Sequence, residues 1–302
     1  MDRTVTTLID AEKCIGCGVC VKVCPYGSIS MEAGKAVVSG DRSMSCGHCA
    51  AVCPVDAVRV NALDKESSRY SSFMGNDIWL PHGEYDTKEL VRLMGSRRSC
   101  RNYSDRAVGR ALLEDLIKIG VTAPSGTNSQ LWTFTVLPTR KSVLHCGERI
   151  ALFFRKLNRM SEKKYLRSFL KLIGKPELDE YFREHQDSVA QALNEWEKSG
   201  RDRLFHGATA VILIGSKPGA SCPKEDALLA TQNILLAAHS MGLGTCLIGF
   251  AVEAMKRDVT IKKYLGIPDN ERVYSVIALG YPDEKYQRTA GRKKYTLRYH
   301  DV

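Results

Sequence analysis

Four thiols near the start of the chain set the chemistry. Cys14, Cys17, Cys20 and Cys24 are separated by two, two and three residues, and Pro25 follows, in the run C-I-G-C-G-V-C-V-K-V-C-P. Three thiolates at this spacing converge on three corners of one iron–sulfur cubane, and the fourth reaches to another cluster. Gly16 and Gly18 let the backbone wrap closely around such a core and take positive φ. A structural zinc site uses two well-separated C-x-x-C pairs and gains nothing from the third thiol. A disulfide framework belongs to an oxidising compartment, whereas the opening M-D-R-T-V-T-T lacks a secretory h-region. The run predicts single-electron transfer.

A partner run carries Cys46, Cys49 and Cys53 before Pro54, and Ser43 stands where its leading thiol belongs. By the crossed ligand rule Cys14, Cys17, Cys20 and Cys53 form one complete set. Cys24, Cys46 and Cys49 form a second set that lacks one thiolate. Serine is a poor substitute, because its alkoxide is hard to form and is a harder ligand for iron. Three outcomes stay open for the second site: a four-iron cluster with Ser43 or solvent on one iron, a three-iron cluster, or an empty lobe.

The elements that position these groups must fit within 302 residues, enough for two domains with an ample core. No apolar run is long enough to span a bilayer, so the expected setting is cytoplasmic, with no membrane partner. Seven of eleven cysteines lie in the first 53 residues; Cys100, Cys146, Cys222 and Cys246 read as buried apolar residues. The net charge of +10 lies downstream of residue 62, since residues 1–62 hold six basic and six acidic side chains. Much of the excess falls between Arg155 and Lys175, read either as a solvated helical face or as a docking surface for an acidic electron carrier. No nucleic-acid motif accompanies it, and a nucleic-acid partner is excluded.

Short strands are expected at T-V-T-T-L-I-D, K-A-V-V-S and V-R-V-N, with a short helix after each cysteine loop. Residues 1–62 thus resemble a two-cluster bacterial ferredoxin. Residues 63–85 read as a linker pinned by Trp79 and Leu80. Asp86 or Thr87 caps a helix bearing Leu90, Val91 and Met94, which stops at Gly95. Then comes S-R-R-S-C-R-N-Y, whose Arg and Ser side chains suit either a solvated turn or a phosphate clamp. An amphipathic helix over Ala107–Val121 leads to A-P-S-G-T-N-S-Q-L-W, a polar loop entering the strand Leu131–Leu137. Residues 150–205 read as a polar helical insert broken at Gly174 and Pro176. A-T-A-V-I-L-I-G predicts a buried strand, Asp226–Met241 a helix buried on several sides, and residues 273–282 a last core strand.

The order S-R-R-S-x-R, A-P-S-x-x-N-x-Q-x-W and G-L-G-T-C-L-I-G resembles the nitroreductase superfamily of FMN enzymes, in the branch with a fused N-terminal ferredoxin domain. The resemblance implies an α+β chain: a ferredoxin-like iron–sulfur domain, then an FMN-binding domain over 86–302 with a central mixed sheet flanked by helices, in a homodimer. It implies that Arg97, Arg98 and Ser99 hold the FMN phosphate and that Arg101 lies near the pyrimidine edge. Pro124, Ser125 and Gly126 would line the ring across the dimer, and Asn128 and Gln130 would bond its polar edge or ribityl chain. Backbone N–H groups of Ile248 and Gly249, after Leu247, would approach N5, and Arg292 and Lys293 would close on the phosphate. The insert would cap the flavin, making Phe153, Phe154, Tyr165, Phe169, Tyr181 and Trp196 pocket candidates.

The implied activity is an iron–sulfur flavoprotein oxidoreductase that reduces a nitroaromatic, quinone or enone-like acceptor. The donor would be NAD(P)H or a reduced ferredoxin; no G-x-G-x-x-G follows a strand, so a dedicated dinucleotide domain is not expected. No constellation of His, Asp or Glu demands a general acid or base, and the flavin would carry the chemistry. The competing class is a redox sensor or electron-transfer module without a turnover substrate.

Overall fold

The computed structural model describes residues 2–301, an α+β chain. At its front, β1 (Thr7–Ile9) pairs antiparallel with β4 (Val58–Val60), and β2 (Ile29–Glu32) with β3 (Lys35–Val38). The β2–β3 hairpin closes through Ala33 and Gly34, both at positive φ, the geometry of a two-residue turn matched to strand twist. Two one-turn helices, α1 (Val19–Lys22) and α2 (His48–Ala51), each begin after a left-handed glycine, Gly18 and Gly47. They lie inside the cysteine runs rather than after them. Ile29, Ala36, Ala57, Val58 and Val60 close the small core around Cys14, Cys20 and Cys49.

The connecting segment is held in a way the sequence did not suggest. Trp79 and Leu80 are 73% and 54% exposed and pin nothing within the chain. The anchor is the buried Asp115 of α4 (Arg110–Gly120), which accepts hydrogen bonds from Ser71 N, Ser72 N and Ser72 Oγ at 2.6–3.0 Å. Burial pushes this carboxyl up, but the hydrogen bonds from Ser72 and Ser71 and the charge of Lys118 outweigh it and hold the group below its ordinary 3.8. Its contribution to stability is therefore present above that value and is lost as pH falls through the lowered pKa. Asp115→Asn is expected to cost about 2 kcal/mol, because an amide turns a donor toward donors. Chemical denaturation should show that cost at neutral pH and a much smaller difference from wild type near pH 2.

The second domain is built on a four-stranded antiparallel sheet in the order β5 (Trp132–Leu137), β6 (Ala210–Ser216), β8 (Arg272–Gly280), β7 (Gly244–Leu247). These strands pair only antiparallel and not as the mixed sheet expected; an isolated parallel bridge joins Ser99 to Thr245 at the β7 edge. β6 is buried along its whole length, and its alternate side chains serve two cores. Ile212 and Ile214 pack with Leu113 and Leu116 of α4 and Ile234 of α9 (Pro223–Ser240). Val211 and Leu213 pack with Ile150 and Phe154 of α5 (Arg140–Ser161), Met255 of α10 (Gly249–Arg257) and Ile261 of α11 (Val259–Tyr264). A strand covered on both faces has no polar side, hence its unbroken apolar run. α4 and α9 approach so closely that a Cβ on Gly120 would sit 2.9 Å from Ile234.

α3 (Thr87–Ser96) is capped as expected, with Asp86 accepting from Lys88 N and Glu89 N. The insert comprises the end of α5, then α6 (Lys164–Leu172), α7 (Glu177–Glu184) and α8 (Gln186–Ser199). Several of its basic residues hold helices together: Arg167 pairs with Asp179 at 3.1 Å and lies over the Phe182 ring at 3.6 Å, and Arg155 pairs with Glu197. Among the described residues no helix is long and apolar enough to cross a membrane.

Candidate functional site

Two small cavities lie in the front domain, related by an internal repeat. Cys14, Cys17, Cys20 and Cys53 line one, and Cys24, Cys46, Cys49 and Ser43 line the other. The backbone repeats with them: Gly16 (φ 72°) corresponds to Ser45 (φ 50°), Gly18 (φ 70°) to Gly47 (φ 75°), and Gly27 (φ 63°) to Asp56 (φ 49°). Ser28 N donates to Cys24 Sγ at 3.3 Å and Ala57 N to Cys53 Sγ at 3.2 Å. N–H groups of Ala36 and Gly16 hold the Cys14 thiol below its ordinary value despite burial. All eleven cysteines are free thiols. Sulfur-lined hollows with inward N–H groups fit an anionic sulfide core.

The first loop tolerates no side chain at Gly16, where a Cβ would sit 2.1 Å from the Gly34 carbonyl oxygen. At Gly18 the nearest atom is Met31 Sδ at 3.9 Å. Gly18→Ala is thus expected to cost about 1–2 kcal/mol for its left-handed φ, and Gly16→Ala more, because main chain must also move. Iron content after purification should follow the same order.

Two clefts flank β7 in the second domain. One is lined by Arg97, Arg98, Gly244, Thr245, His239 and Arg288, the other by Arg101, Leu247, Ile248, Gly249 and the insert. The segment carrying the arginines is fixed by Cys100 N donating to Thr245 O at 2.9 Å and by Tyr103 Oη donating to Cys100 O. Burial and the bond to Glu284 push the Cys100 thiol up to about 12, so it stays a donor to that carboxylate. The first cleft has a basic excess, Arg92, Arg97, Arg98 and Arg288 against Glu284, whereas in the second Arg101, Arg203, Lys256 and Arg257 are balanced by four glutamates. Burial and the charge of Arg97 lower the pKa of His239, and burial with the charges of Arg101 and Arg203 lowers that of His206, against Asp202. Thr245 Oγ1, on a residue only 1% exposed, has no hydrogen-bond partner. A buried orphan hydroxyl beside guanidinium groups fits a phosphorylated, hydroxylated ligand lying along β7.

The second cleft has a volume of about 970 Å³ and an aromatic wall. Phe154 meets Phe153 and Phe250 edge-on at 5.1 and 5.5 Å, and Tyr181 stacks at 6.4 Å. Tyr165 and Phe169, expected in the pocket, project from α6 at 70% and 58% exposure, because that face of the helix points away from the sheet. Trp196 lines a separate hollow with Ile150 and Leu193.

Loop 124–130 reaches neither cleft within its own chain. The buried Asp226 holds it, accepting from Gly126 N at 2.8 Å and Ser129 Oγ at 3.1 Å, while Trp132 Nε1 donates to its main-chain oxygen. Gly126 is required by closeness, since a Cβ there would meet Cys222 Sγ at 2.9 Å. Thr127, Asn128 and Gln130 all take left-handed φ. Asn128 was expected to bond a flavin edge, but its amide is engaged elsewhere. It donates to Met44 O and Ser45 O of the second cysteine lobe, at 2.9 and 3.1 Å, and accepts from Gln130 Nε2. Arg3 Nη1 adds a bond to Thr127 O.

The C-terminal expectation also shifts. Arg292 is exposed and donates to Ala290 O and Gly291 O, Lys293 is exposed beside it, and Arg288 stands at the phosphate-like cleft instead. A tail without periodicity gave no signal for which cation turns inward. Asp226 was hidden in a helix read as apolar, and Thr245 between glycines in a motif read for its backbone.

Both domains match known families. Residues 94–281 match the nitroreductase family and residues 7–57 the 4Fe-4S dicluster domain. An Archaeoglobus fulgidus protein whose name pairs NADH dehydrogenase with NAD(P)H nitroreductase is 28% identical over 66% of this chain and 88% of its own length. A 4-nitrobenzoate reductase of Nocardioides is 26% identical over 64% of this chain and 81% of its own. A nitroreductase structure with bound FMN from Bacteroides fragilis superposes with a TM-score of 0.52 at 23% identity, covering 70% of this chain and 100% of that one. The chain belongs to the nitroreductase family and carries a ferredoxin-type 4Fe-4S dicluster domain in front of the family fold.

Proposed function

We propose that this chain is an iron–sulfur flavoprotein oxidoreductase that reduces a small aromatic or conjugated acceptor such as a nitroaromatic, quinone or enone. The observation that carries the proposal is the bonding of Asn128 to the main chain of the second cysteine lobe, which seats the iron module on the loop that would line the flavin of a second copy. Cys14, Cys17, Cys20 and Cys53 hold the first cluster, and Cys24, Cys46 and Cys49 anchor the second. FMN, when bound, supplies the exchange between one-electron and two-electron chemistry.

The remaining roles belong to side chains. Arg97, Arg98 and Arg288 bind the phosphate, with Ser99 beside them at the sheet edge, and the Thr245 hydroxyl meets the ribityl chain or phosphate. Arg101 and the main chain of Leu247–Gly249 border the ring, and Phe153, Phe154, Tyr181 and Phe250 exclude water and stack against a flat acceptor. Pro124, Ser125 and Gly126 complete the site of a second copy. Exposed apolar side chains support that homodimer: Leu228 and Leu229 on α9, Val91 and Met94 on α3, Trp79 and Leu80 in the linker, and Tyr295, Leu297 and Tyr299 in the tail. Electrons enter through the first lobe, whose Cys17 and Ile15 are exposed, from a reduced ferredoxin-type carrier, or from NAD(P)H over the ring.

Anaerobic assay tests the proposal. Protein holding both FMN and iron should turn over a nitroaromatic or quinone many times with reduced ferredoxin or NAD(P)H. A single stoichiometric oxidation without turnover would contradict the enzymatic reading and favour a redox sensor.

A further inference from the structure

We infer that the second lobe holds a three-iron cluster, a cubane with one corner missing, and that the missing corner is the one at Ser43, beside the flavin domain. The inference rests on the iron–sulfur reading above and deepens it.

The lobe is built for a cluster. Its backbone copies the complete lobe position by position, including left-handed φ at Ser45 and Asp56 where the first lobe uses Gly16 and Gly27. Neither residue adopts that conformation as freely as glycine, so the second loop holds the shape of the first at some cost. Ser45 N donates to Ser43 Oγ at 2.9 Å, as Gly16 N does to the sulfur of Cys14. Ser43 therefore stands in the position of Cys14 with the same hydrogen bond, and only the ligating atom differs. That atom is a hydroxyl oxygen, a hard donor that binds iron strongly only as an alkoxide. A hydroxyl oxygen also projects less far from Cβ than a thiolate sulfur.

No other lining group supplies a fourth thiolate. Besides the three cysteines the cavity wall holds Val5, Thr7, Tyr26, Ser28, Met44 and Val60, with His48 where the first lobe has Val19. Three thiolates remain, enough for three irons bridged by sulfide. The Ser43 segment is also clamped: Ser43 N donates to Arg3 O at 2.7 Å, and Met44 O and Ser45 O accept from Asn128. The incomplete corner thus faces the second domain, and the complete cluster lies on the outer side.

Iron and sulfide counts with EPR on protein purified anaerobically test this. Wild type should contain about seven irons per chain, four from the complete cluster and three from the other, and show the signal of an oxidised three-iron centre before any reductant is added. Ser43→Cys should raise the count to about eight and abolish that signal, and Ser43→Ala should leave count and signal unchanged. About eight irons in wild type, about four without the signal, or loss of the signal in Ser43→Ala would each overturn the inference while leaving the first cluster in place. Protein without iron would overturn the iron–sulfur reading itself.

Discussion

Replacing Arg97 and Arg98 together by Gln is expected to give protein that purifies with its iron but without its flavin. Both guanidinium groups line the cleft at the start of β7, and the pKa of the adjacent His239 is lowered by burial and by Arg97, so the cleft carries positive charge with no acidic side chain of its own except Glu284. That carboxylate is engaged by Cys100 and Asn102. A phosphate dianion is the ligand such a cleft stabilises. Each charge-assisted contact contributes about 1.5–3 kcal/mol, so losing two weakens FMN binding by about 10²–10⁴-fold. Riboflavin gives the control. Wild type should bind FMN far more tightly than riboflavin, and the double variant should bind them nearly alike, which isothermal titration of flavin-free protein measures. Equal loss of affinity for both ligands would mean that the arginines support the fold rather than the phosphate.

Asp226→Ala carries the second large effect. The carboxylate is 3% exposed and holds both Gly126 and Ser129, and through them the left-handed stretch that presents Asn128 to the cysteine lobe. Removing it leaves a buried amide and a hydroxyl unpaired, at about 1–3 kcal/mol each. The loop loosens, and the iron module loses its seat. Stability should fall by about 2–5 kcal/mol, and the rate at which reduced iron passes electrons to flavin should drop more than tenfold even where both cofactors are retained. Asp226→Asn, which can still accept from Gly126, should recover part of both. Rapid-mixing spectroscopy separates the two cofactors by their absorption, and an unchanged internal rate in Asp226→Ala would show that the loop does not connect them.

What could be read from the sequence followed from local spacing. The thiols of the first run, Cys14 to Cys24, lie within eleven residues, so their spacing is a property of one loop, and the apolar run of β6 records burial on two faces. The opposite held wherever a role depends on a contact between distant segments. Asn128 was legible as a polar loop residue, but its partners lie 83 and 84 positions away in the cysteine lobe. Asp115 anchors the linker from 43 and 44 positions downstream, while the exposed Trp79 meets only His82 of the same segment edge-on. The resemblance put Tyr165 and Phe169 in a pocket with the rest of the insert, and a segment's place in the chain does not say which face of its helix a neighbour covers. Arg288 differs from Arg292 only by where an aperiodic tail turns.

The most direct measurement adds one electron per chain from a low-potential donor to anaerobic, fully loaded protein and follows iron and flavin absorption together. The account predicts that the iron band bleaches first and recovers as the flavin becomes reduced, and that Asn128→Ala slows the second phase without changing the first. Flavin reduction at the same rate in protein stripped of its clusters would contradict it.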